Sequence, residues 1–403
     1  MLLSRPVPSS DVLQKSRSDL RLCCVICAGD PDTARELIRS REGGVDWMAL
    51  VEVAKNHRLE MLLYRAASTH CAEFVDPPAL EALRRRHADN QARSLALTSA
   101  LLRLLAPLDA EQIPAMPFKG PVLGAQLYGD MALRIYSDLD VLVHERDADR
   151  VTRVLLAQGY RQGPMSLGWE RSFVRDSGES VDLHWSIADK IHQFPLTAAE
   201  LWARRTTVSL AGTPVQTLCA EDALLAICFN GLSEDWQRCD RIADVAALLR
   251  HASGAIDWPQ LLALCRQRGC ERLVLVGLHL AKELFMARLP QPVEVRLQAH
   301  HRALMRAGYA IDEFLDFTIT ATDRRGGSDY WRHIFRMRER LWERFPYYQS
   351  FAYALFKPQD SDTRWQRNGR RLLYGVLRLP LLGIKQGLRL LGHATLRERP
   401  PQL

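Results

Sequence analysis

The sequence predicts an α+β protein in which a small mixed β-sheet lies between two helical regions. Apolar residues recur at helical spacing over residues 11–108, the pattern changes at Pro114 to short β-rich runs, and helical spacing returns from Glu221 onward. This order indicates an α+β core with helical flanks. We therefore predict four parts, namely an N-terminal helical region, an α/β core, a helical domain and a basic helical C-terminal segment, at 1–108, 109–218, 219–290 and 291–403.

The composition is that of an ordinary globular protein. Of 403 residues, 47% are hydrophobic and 25% are charged. The sequence has no apolar run long enough to predict a signal peptide or a membrane span. A cytoplasmic protein is therefore expected. The nine cysteines are irregularly spaced, and Cys24-x-x-Cys27 has no second pair at zinc-site spacing. Buried thiols are therefore favoured over a metal or redox site.

The basic balance of the chain belongs to its C-terminal segment. Residues 321–403 contain 17 Lys and Arg against 7 Asp and Glu, whereas the whole chain has a net charge of +7. Within 364–399 basic and apolar residues alternate. This pattern fits peripheral contact with the anionic inner face of a membrane, and it fits equally a helix packed on the body. Nucleic-acid binding is disfavoured, because Tyr374 is the only aromatic residue after Trp365.

Two acidic residues mark the predicted strand 137–143. Side chains two positions apart on a strand share a face, so Asp138 and Asp140 point the same way. Two like charges side by side are costly unless they are exposed, protonated or bridged by cations. Mg²⁺ suits such a pair, because it takes carboxylate oxygens and leaves positions open for phosphates. The alternative is a solvated strand end.

A second acidic strand follows a predicted hairpin. The strands 169–174 and 180–187 flank a turn at 176–178, and Asp182 and His184 share one face of the second strand. A neighbouring strand would bring Asp182 beside Asp138 and Asp140, an arrangement suited to two-metal phosphoryl chemistry. The alternatives are an ordinary polar face for Asp182 and a core or supporting role for His184.

The turn before the acidic strands carries features of a phosphate site. Gly120 allows close approach of backbone, the following helix offers free N–H groups, and Lys119 supplies positive charge. Arg134, four residues before Asp138, is expected to reach the same cleft. The alternative for Lys119 is a surface lysine in a turn. Two further elements are predicted here, a helix at 147–158 and a hairpin formed by 207–210 and 214–217.

The segment FKGPVLGAQLYGDMALRIYSDLDVLV resembles the signature of the bacterial uncharacterised nucleotidyltransferase family, a branch of the DNA-polymerase-β-like superfamily. The features that carry the resemblance are a lysine-glycine turn, Leu-Tyr at a helix end, an arginine, Asp-x-Asp, and the later strand VDLHW. The resemblance covers roughly 20–285. The turn departs from the wider superfamily, which usually has Gly-Ser where this chain has Lys119-Gly120.

The resemblance implies a metal-dependent nucleotidyltransferase. It implies Asp138, Asp140 and Asp182 as catalytic and metal-binding residues for two Mg²⁺ ions, with an NTP, ATP in the first instance, as co-substrate. It also implies a set of nucleotide contacts, which comprises Lys119, Gly120, Arg134, Ser137 and His184. The expected acceptor is a hydroxyl on a protein, sugar, lipid-linked or small molecule, in a surface-polysaccharide or peptide-modification pathway. The alternative is a catalytically silent nucleotide-binding or protein-interaction module on the same fold.

Overall fold

In a computed structural model, the first helical region contains five helices, and an aspartate caps the start of three of them. The structure describes residues 10–188 and 194–320, so the segment 364–399 lies outside the described residues. Asp76 caps the longest helix by accepting the Ala79 N–H, and Pro77 takes the first helical position. The N-terminal helices are α1 (Ser10–Ala28), α2 (Pro31–Arg39), α3 (Trp47–His57), α4 (Glu60–Thr69) and α5 (Pro77–Ala110).

The middle of the chain forms a five-stranded mixed sheet and a separate hairpin. The sheet order is β1-β2-β5-β4-β3, in which only β2 and β5 are parallel. β6 and β7 pair with each other in a second sheet. These elements and their helices are β1 (Ala115–Pro117), α6 (Gly120–Tyr128), β2 (Asp138–Val143), α7 (Ala148–Ala157), β3 (Arg161–Leu167), β4 (Glu170–Val174), β5 (Ser180–His184), α8 (Ala198–Ala203), β6 (Thr206–Leu210) and β7 (Thr213–Thr217).

Helices resume directly after β7. Asp244 and Asp222 are fully buried charged residues in this region, so its core includes polar contacts as well as apolar packing. In the described part of the chain, no helix is long and apolar enough to cross a membrane. The helices are α9 (Ala220–Ser233), α10 (Asp240–Ala252), α11 (Trp258–Arg268), α12 (Glu271–Phe285), α13 (Gln291–Arg306) and α14 (Ile311–Thr320).

The predicted fold class is confirmed, since a small mixed sheet lies between two helical regions. Both predicted hairpins form, with Arg175 closing the turn between β4 and β5 by donating its N–H to the Glu179 carbonyl. β3 was not predicted. Gly163 and Pro164 argue against a strand in sequence, but β3 lies at the sheet edge, where proline is tolerated. Its register also shifts between Gln162 and Ser166.

Alternation along β2 and β5 divides the sheet into an apolar face and a polar face. Leu139, Val141 and Val143 on β2, with Val181 and Leu183 on β5, are buried in a cluster that includes the apolar residues of α5 and α7. Burial of this face fixes the strand register, because a shift of one residue would expose the whole apolar set. The acidic side chains of both strands are therefore directed to the opposite face.

Candidate functional site

The parallel pairing of β2 and β5 brings the acidic residues of the two strands side by side. Asp140 lies directly opposite Asp182, and Asp138 lies opposite Ser180. The antiparallel pairing of β4 and β5 adds Glu170, which lies opposite His184. Residues paired in this way share one face of the sheet. The polar face thus gathers three aspartates, a glutamate and a histidine from three neighbouring strands.

Asp140 is the most deeply buried of these carboxylates and makes the most contacts. Its Oδ1 accepts from Lys119 Nζ at 2.8 Å and lies 3.1 Å from His184 Nε2, while only 6% of the residue is exposed. Burial alone would raise the pKa of Asp140, but the Lys119 charge and the His184 contact hold the pKa well below its usual range. Asp140 is therefore ionised, and the neighbouring lysine and histidine stabilise its negative charge.

His184 joins Asp140 to a second carboxylate. Its Nδ1 lies 3.3 Å from Glu170 Oε2, within ion-pair range. The imidazole is 3% exposed, and the rings of Phe118 and Trp169 lie 5.3 and 5.4 Å from it between centroids. Packing against these rings fixes the imidazole plane. Nε2 therefore contacts Asp140, whereas Nδ1 is buried near Glu170 and makes no hydrogen bond with the described residues.

The remaining carboxylates repel one another. Burial raises the pKa of Asp138, and the neighbouring Asp140 raises it further, against the opposing charge of Lys119. Burial likewise raises the pKa of Asp182, with further increases from Asp140 and Asp138. Glu170 behaves in the same way, because burial and the charge of Asp182 outweigh the opposing effect of His184. A bound cation would relieve this repulsion.

The lysine-glycine turn lies against the acidic strand. The Phe118 N–H donates to the Asp140 carbonyl at 3.2 Å, which continues the pairing of β1 with β2 up to the turn. Gly120 has φ of +54°, and a β-carbon there would lie 3.2 Å from the Asp138 carbonyl oxygen. Glycine is therefore the residue that fits this close approach. α6 begins here without a side-chain cap, and contact between its first N–H groups and a phosphate stays a prediction.

Three side chains have the donor set and spacing of a metal site. One ligand atom each from Asp140, Asp182 and His184 lie within 4.8 Å of one another. Among residues 10–188 and 194–320, this is the one group of three or more such side chains at that spacing. Carboxylate oxygens and an imidazole nitrogen are ordinary ligands of divalent ions, so these residues fit a metal. Asp138 is outside the group and lies two residues before Asp140 on the same face.

The other residues predicted to contact nucleotide differ in their surroundings. Ser137 is exposed, and its carbonyl accepts from the Ser180 hydroxyl at 3.3 Å. Arg134 is 8% exposed, and its Nη2 lies 2.8 Å from Asp244 on α10. Tyr128 donates to the same carboxylate at 3.0 Å. The guanidinium of Arg134 is thus held by α10, and its contact with nucleotide stays a prediction.

Two residues near the cluster were not singled out from the sequence. Glu170 follows the exposed turn before β4, and only the pairing of β4 with β5 reveals its place beside His184. Arg241 is the second residue of α10 and is held by Asp240 at 2.9 Å, and its charge also lowers the pKa of Asp138 against the effect of burial. A signal for Arg241 was present, since it lies in a downstream segment that the resemblance covers.

Comparison with known proteins places the chain in a family. No curated protein matched the chain. In a solved structure, an antigenic nucleotidyltransferase-like protein from Paracoccidioides brasiliensis is similar at 20% identity and a TM-score of 0.29, over 48% of this chain and 93% of that chain. At that TM-score the similarity adds nothing to the assignment. The family model of the uncharacterised nucleotidyltransferases matches residues 43–286, which is more than half of the chain. The chain therefore belongs to the uncharacterised nucleotidyltransferase family.

Proposed function

We propose that the protein transfers a nucleoside monophosphate from an NTP to a hydroxyl acceptor and depends on divalent cations. The observation that supports this most is the register that places Asp182 opposite Asp140, with Asp138 two residues away on the same face. Three carboxylates at one place are costly without cations, and phosphoryl transfer needs cations at such a place. Mg²⁺ is the ion predicted for these three carboxylates, and ATP is the first NTP to test.

The proposed reaction uses each carboxylate differently. Bound divalent ions supply charge neutralisation for the phosphates and lower the pKa of the acceptor hydroxyl. Asp138 and Asp140 would hold the ions. Asp182 would either complete their ligand set, with the hydroxyl proton passing to water, or accept that proton itself. The acceptor oxygen forms a bond to the α-phosphorus in line with the bond that breaks, and pyrophosphate leaves with the electron pair of that bond.

Lys119, Gly120 and Arg241 would serve the phosphates in this scheme. Lys119 is 28% exposed at its side chain, so it can leave Asp140 and turn towards a triphosphate. Gly120 and the uncapped start of α6 offer backbone N–H groups to phosphate oxygens. Arg241 would add a further positive charge near Asp138. In the same proposal Ser137 and Arg134 remain secondary nucleotide contacts.

Replacement of the first two carboxylates tests the proposal. Asp138→Asn with Asp140→Asn should abolish metal-dependent pyrophosphate release from NTP while circular dichroism shows an unchanged fold. The matched control is Asp176→Asn, since Asp176 is an exposed aspartate in the β4–β5 turn and pairs with Arg161. Undiminished turnover in the double variant would refute the assignment. Incubation with each α-labelled NTP in host lysate then identifies the species that acquires the label.

Membrane contact by the segment 364–399 is a separate proposal, supported by its alternating basic and apolar residues. Co-sedimentation with anionic vesicles should be strong for the intact chain and lost in a chain cut near Asp362. Equal sedimentation of the two would exclude a role for this segment.

A further inference from the structure

A polar cavity of about 430 Å³ lies between α1, α3, α14 and the turn that joins α9 to α10. Ser16, Asn56, Gln237 and Thr318 contribute hydroxyl and amide groups to its lining, and apolar side chains from the three helices also line it. None of the described residues that line it belongs to the acidic cluster of the sheet. Its volume is in the range of pockets that hold small organic molecules, so it can hold more than a single ion.

Two buried polar atoms of the cavity lining have no partner. His57 Nδ1 and Arg238 Nε are both buried, and neither makes a hydrogen bond within the described part of the chain. A buried polar group without a partner costs free energy, so such groups are generally satisfied by protein, water or a ligand. Arg238 Nε carries a hydrogen, and His57 Nδ1 can also donate in one tautomer or when protonated. A ligand with acceptor oxygens would satisfy both after a small rotation of these side chains.

Three guanidiniums beside the cavity have two carboxylates between them. Arg238 lies 2.9 Å from Glu234, and Arg241 lies 2.9 Å from Asp240. Arg58 is the third, and among residues 10–188 and 194–320 it has no ion-pair partner. Burial and the charge of Arg238 lower the pKa of Arg58, against the opposing charge of Asp240. A bound anion would supply the negative charge that Arg58 lacks.

The backbone at Arg58 has a conformation that glycine favours. Arg58 follows His57 and ends α3 with φ of +54° and ψ of +40°, in the left-handed region. Its N–H donates to the Lys55 carbonyl and closes the last turn of the helix. Glycine would end the helix at a lower conformational cost. An arginine at a strained position of this kind indicates a role for its side chain.

We propose that this cavity binds a small hydroxylated molecule that carries a phosphate group, with Arg58, His57 and Arg238 around the phosphate. A phosphate suits the position because it offers several acceptor oxygens to donors from different side chains, and arginine binds it through two parallel hydrogen bonds. The hydroxyl and amide groups of the lining would contact the rest of the molecule. The inference goes beyond the proposed function, because the cavity is separate from the acidic cluster.

Isothermal titration calorimetry of the full-length, nucleotide-free protein tests the inference. The probes are glycerol 3-phosphate, inorganic phosphate and glycerol. Glycerol 3-phosphate should bind, inorganic phosphate should bind more weakly, and glycerol at the same concentrations should give no heat of binding. Absence of glycerol 3-phosphate binding, or binding no tighter than that of inorganic phosphate or glycerol, would overturn the inference.

Two variants assign the binding to the cavity. Gln237→Glu keeps the size of the side chain and adds a negative charge to the lining, so it should weaken glycerol 3-phosphate binding about 10- to 100-fold. Arg58→Gly should weaken binding by a similar factor, while the urea midpoint should not fall, because glycine favours this backbone conformation. The matched control is Arg84→Gln, because Arg84 pairs with Glu81 at 2.8 Å and both side chains are exposed. Wild-type affinity in either folded variant would overturn the inference.

Lys119→Met separates the cavity from the candidate nucleotide site, where the lysine-glycine turn could also bind a phosphate. This variant should keep the wild-type affinity for glycerol 3-phosphate. Loss of binding in Lys119→Met would place the ligand at the turn and overturn the inference. Absence of NTP turnover would remove the proposed activity and leave this inference standing, because the two sites are formed by different residues.

Discussion

The contact between Lys119 and Asp140 predicts competition between the lysine and a metal ion. The ammonium lies 2.8 Å from Oδ1 of a carboxylate that is 6% exposed. Without nucleotide, an ion that binds Asp140 must displace this ammonium or bear its repulsion. Lys119→Met keeps the length of the side chain and removes the charge. We therefore expect tighter metal binding in the nucleotide-free variant, together with weaker NTP turnover.

The size of the effect follows from the contact that the ion replaces. A hydrogen bond between charged groups contributes about 1.5–3 kcal/mol. Each 1.4 kcal/mol corresponds to about a tenfold change in a binding constant. Removal of the ammonium should therefore tighten metal binding on the order of 10- to 100-fold. Loss of the same charge from the triphosphate should lower kcat/KM for NTP by a similar factor.

Isothermal titration calorimetry of the metal, with and without a non-hydrolysable NTP analogue, measures the competition. The matched control is Lys282→Met, because Lys282 also forms an ion pair, with Glu294 at 3.1 Å, but both side chains of that pair are exposed. Equal or weaker metal affinity in a folded Lys119→Met variant would refute the reasoning. It would mean that the ammonium does not compete with the ion for Asp140.

Three further predictions concern backbone fit and buried charge. Gly120→Ala places a β-carbon 3.2 Å from the Asp138 carbonyl oxygen, at a residue with φ of +54°. We therefore expect the free energy of unfolding, measured with urea, to fall by about 1–3 kcal/mol and kcat to decrease. Asp244→Asn leaves the buried Arg134 guanidinium without its counter-charge and should lower the unfolding free energy by about 3–5 kcal/mol. Burial raises the pKa of Asp222 from 3.8 to about 6, so the folded state binds the proton of this carboxyl more tightly than the unfolded state does. The unfolding free energy should therefore fall by about 3 kcal/mol as pH rises from about 4 to about 6, and Asp222→Asn should flatten that slope.

Each of these predictions has an outcome that contradicts it. Wild-type stability and kcat in Gly120→Ala would show that the backbone shifts freely at the turn. The matched control is Gly212→Ala, which lies in an open hairpin turn. A loss below about 1 kcal/mol in Asp244→Asn would mean that water or another residue replaces the lost charge. A slope that Asp222→Asn leaves unchanged would assign the pH dependence to other groups.

The parts of the fold that sequence could predict are those set by short-range alternation and turns. The acidic strand, the turn at 176–178 and the hairpin of β6 and β7 all follow from local patterns. β3 was not predictable, because Gly163 and Pro164 are tolerated there only by virtue of its place at the sheet edge. Local spacing carries no information about which strands will be neighbours in the sheet.

The surroundings of the candidate site depend on contacts that are distant in sequence. Alternation placed Asp138 and Asp140 on one face, and it placed Asp182 and His184 on one face of a later strand. Direct opposition of Asp140 and Asp182 required the parallel register of β2 and β5, which only the fold supplies. The partner of Arg134 is 110 residues away in the chain. The short distance in sequence between Arg134 and the acidic strand therefore did not predict which residue Arg134 contacts.

The buried pair of Arg134 and Asp244 has a consequence for how such a protein is inherited. The pair joins the segment before β2 to α10, while Asn90 on α5 donates to the Ala132 and Arg134 carbonyls in that segment. A gene fragment that encoded the sheet without these helices would leave Arg134 without its counter-charge and the two carbonyl groups without their donor. Recombination should therefore pass the sheet and both helices on together as one linked unit.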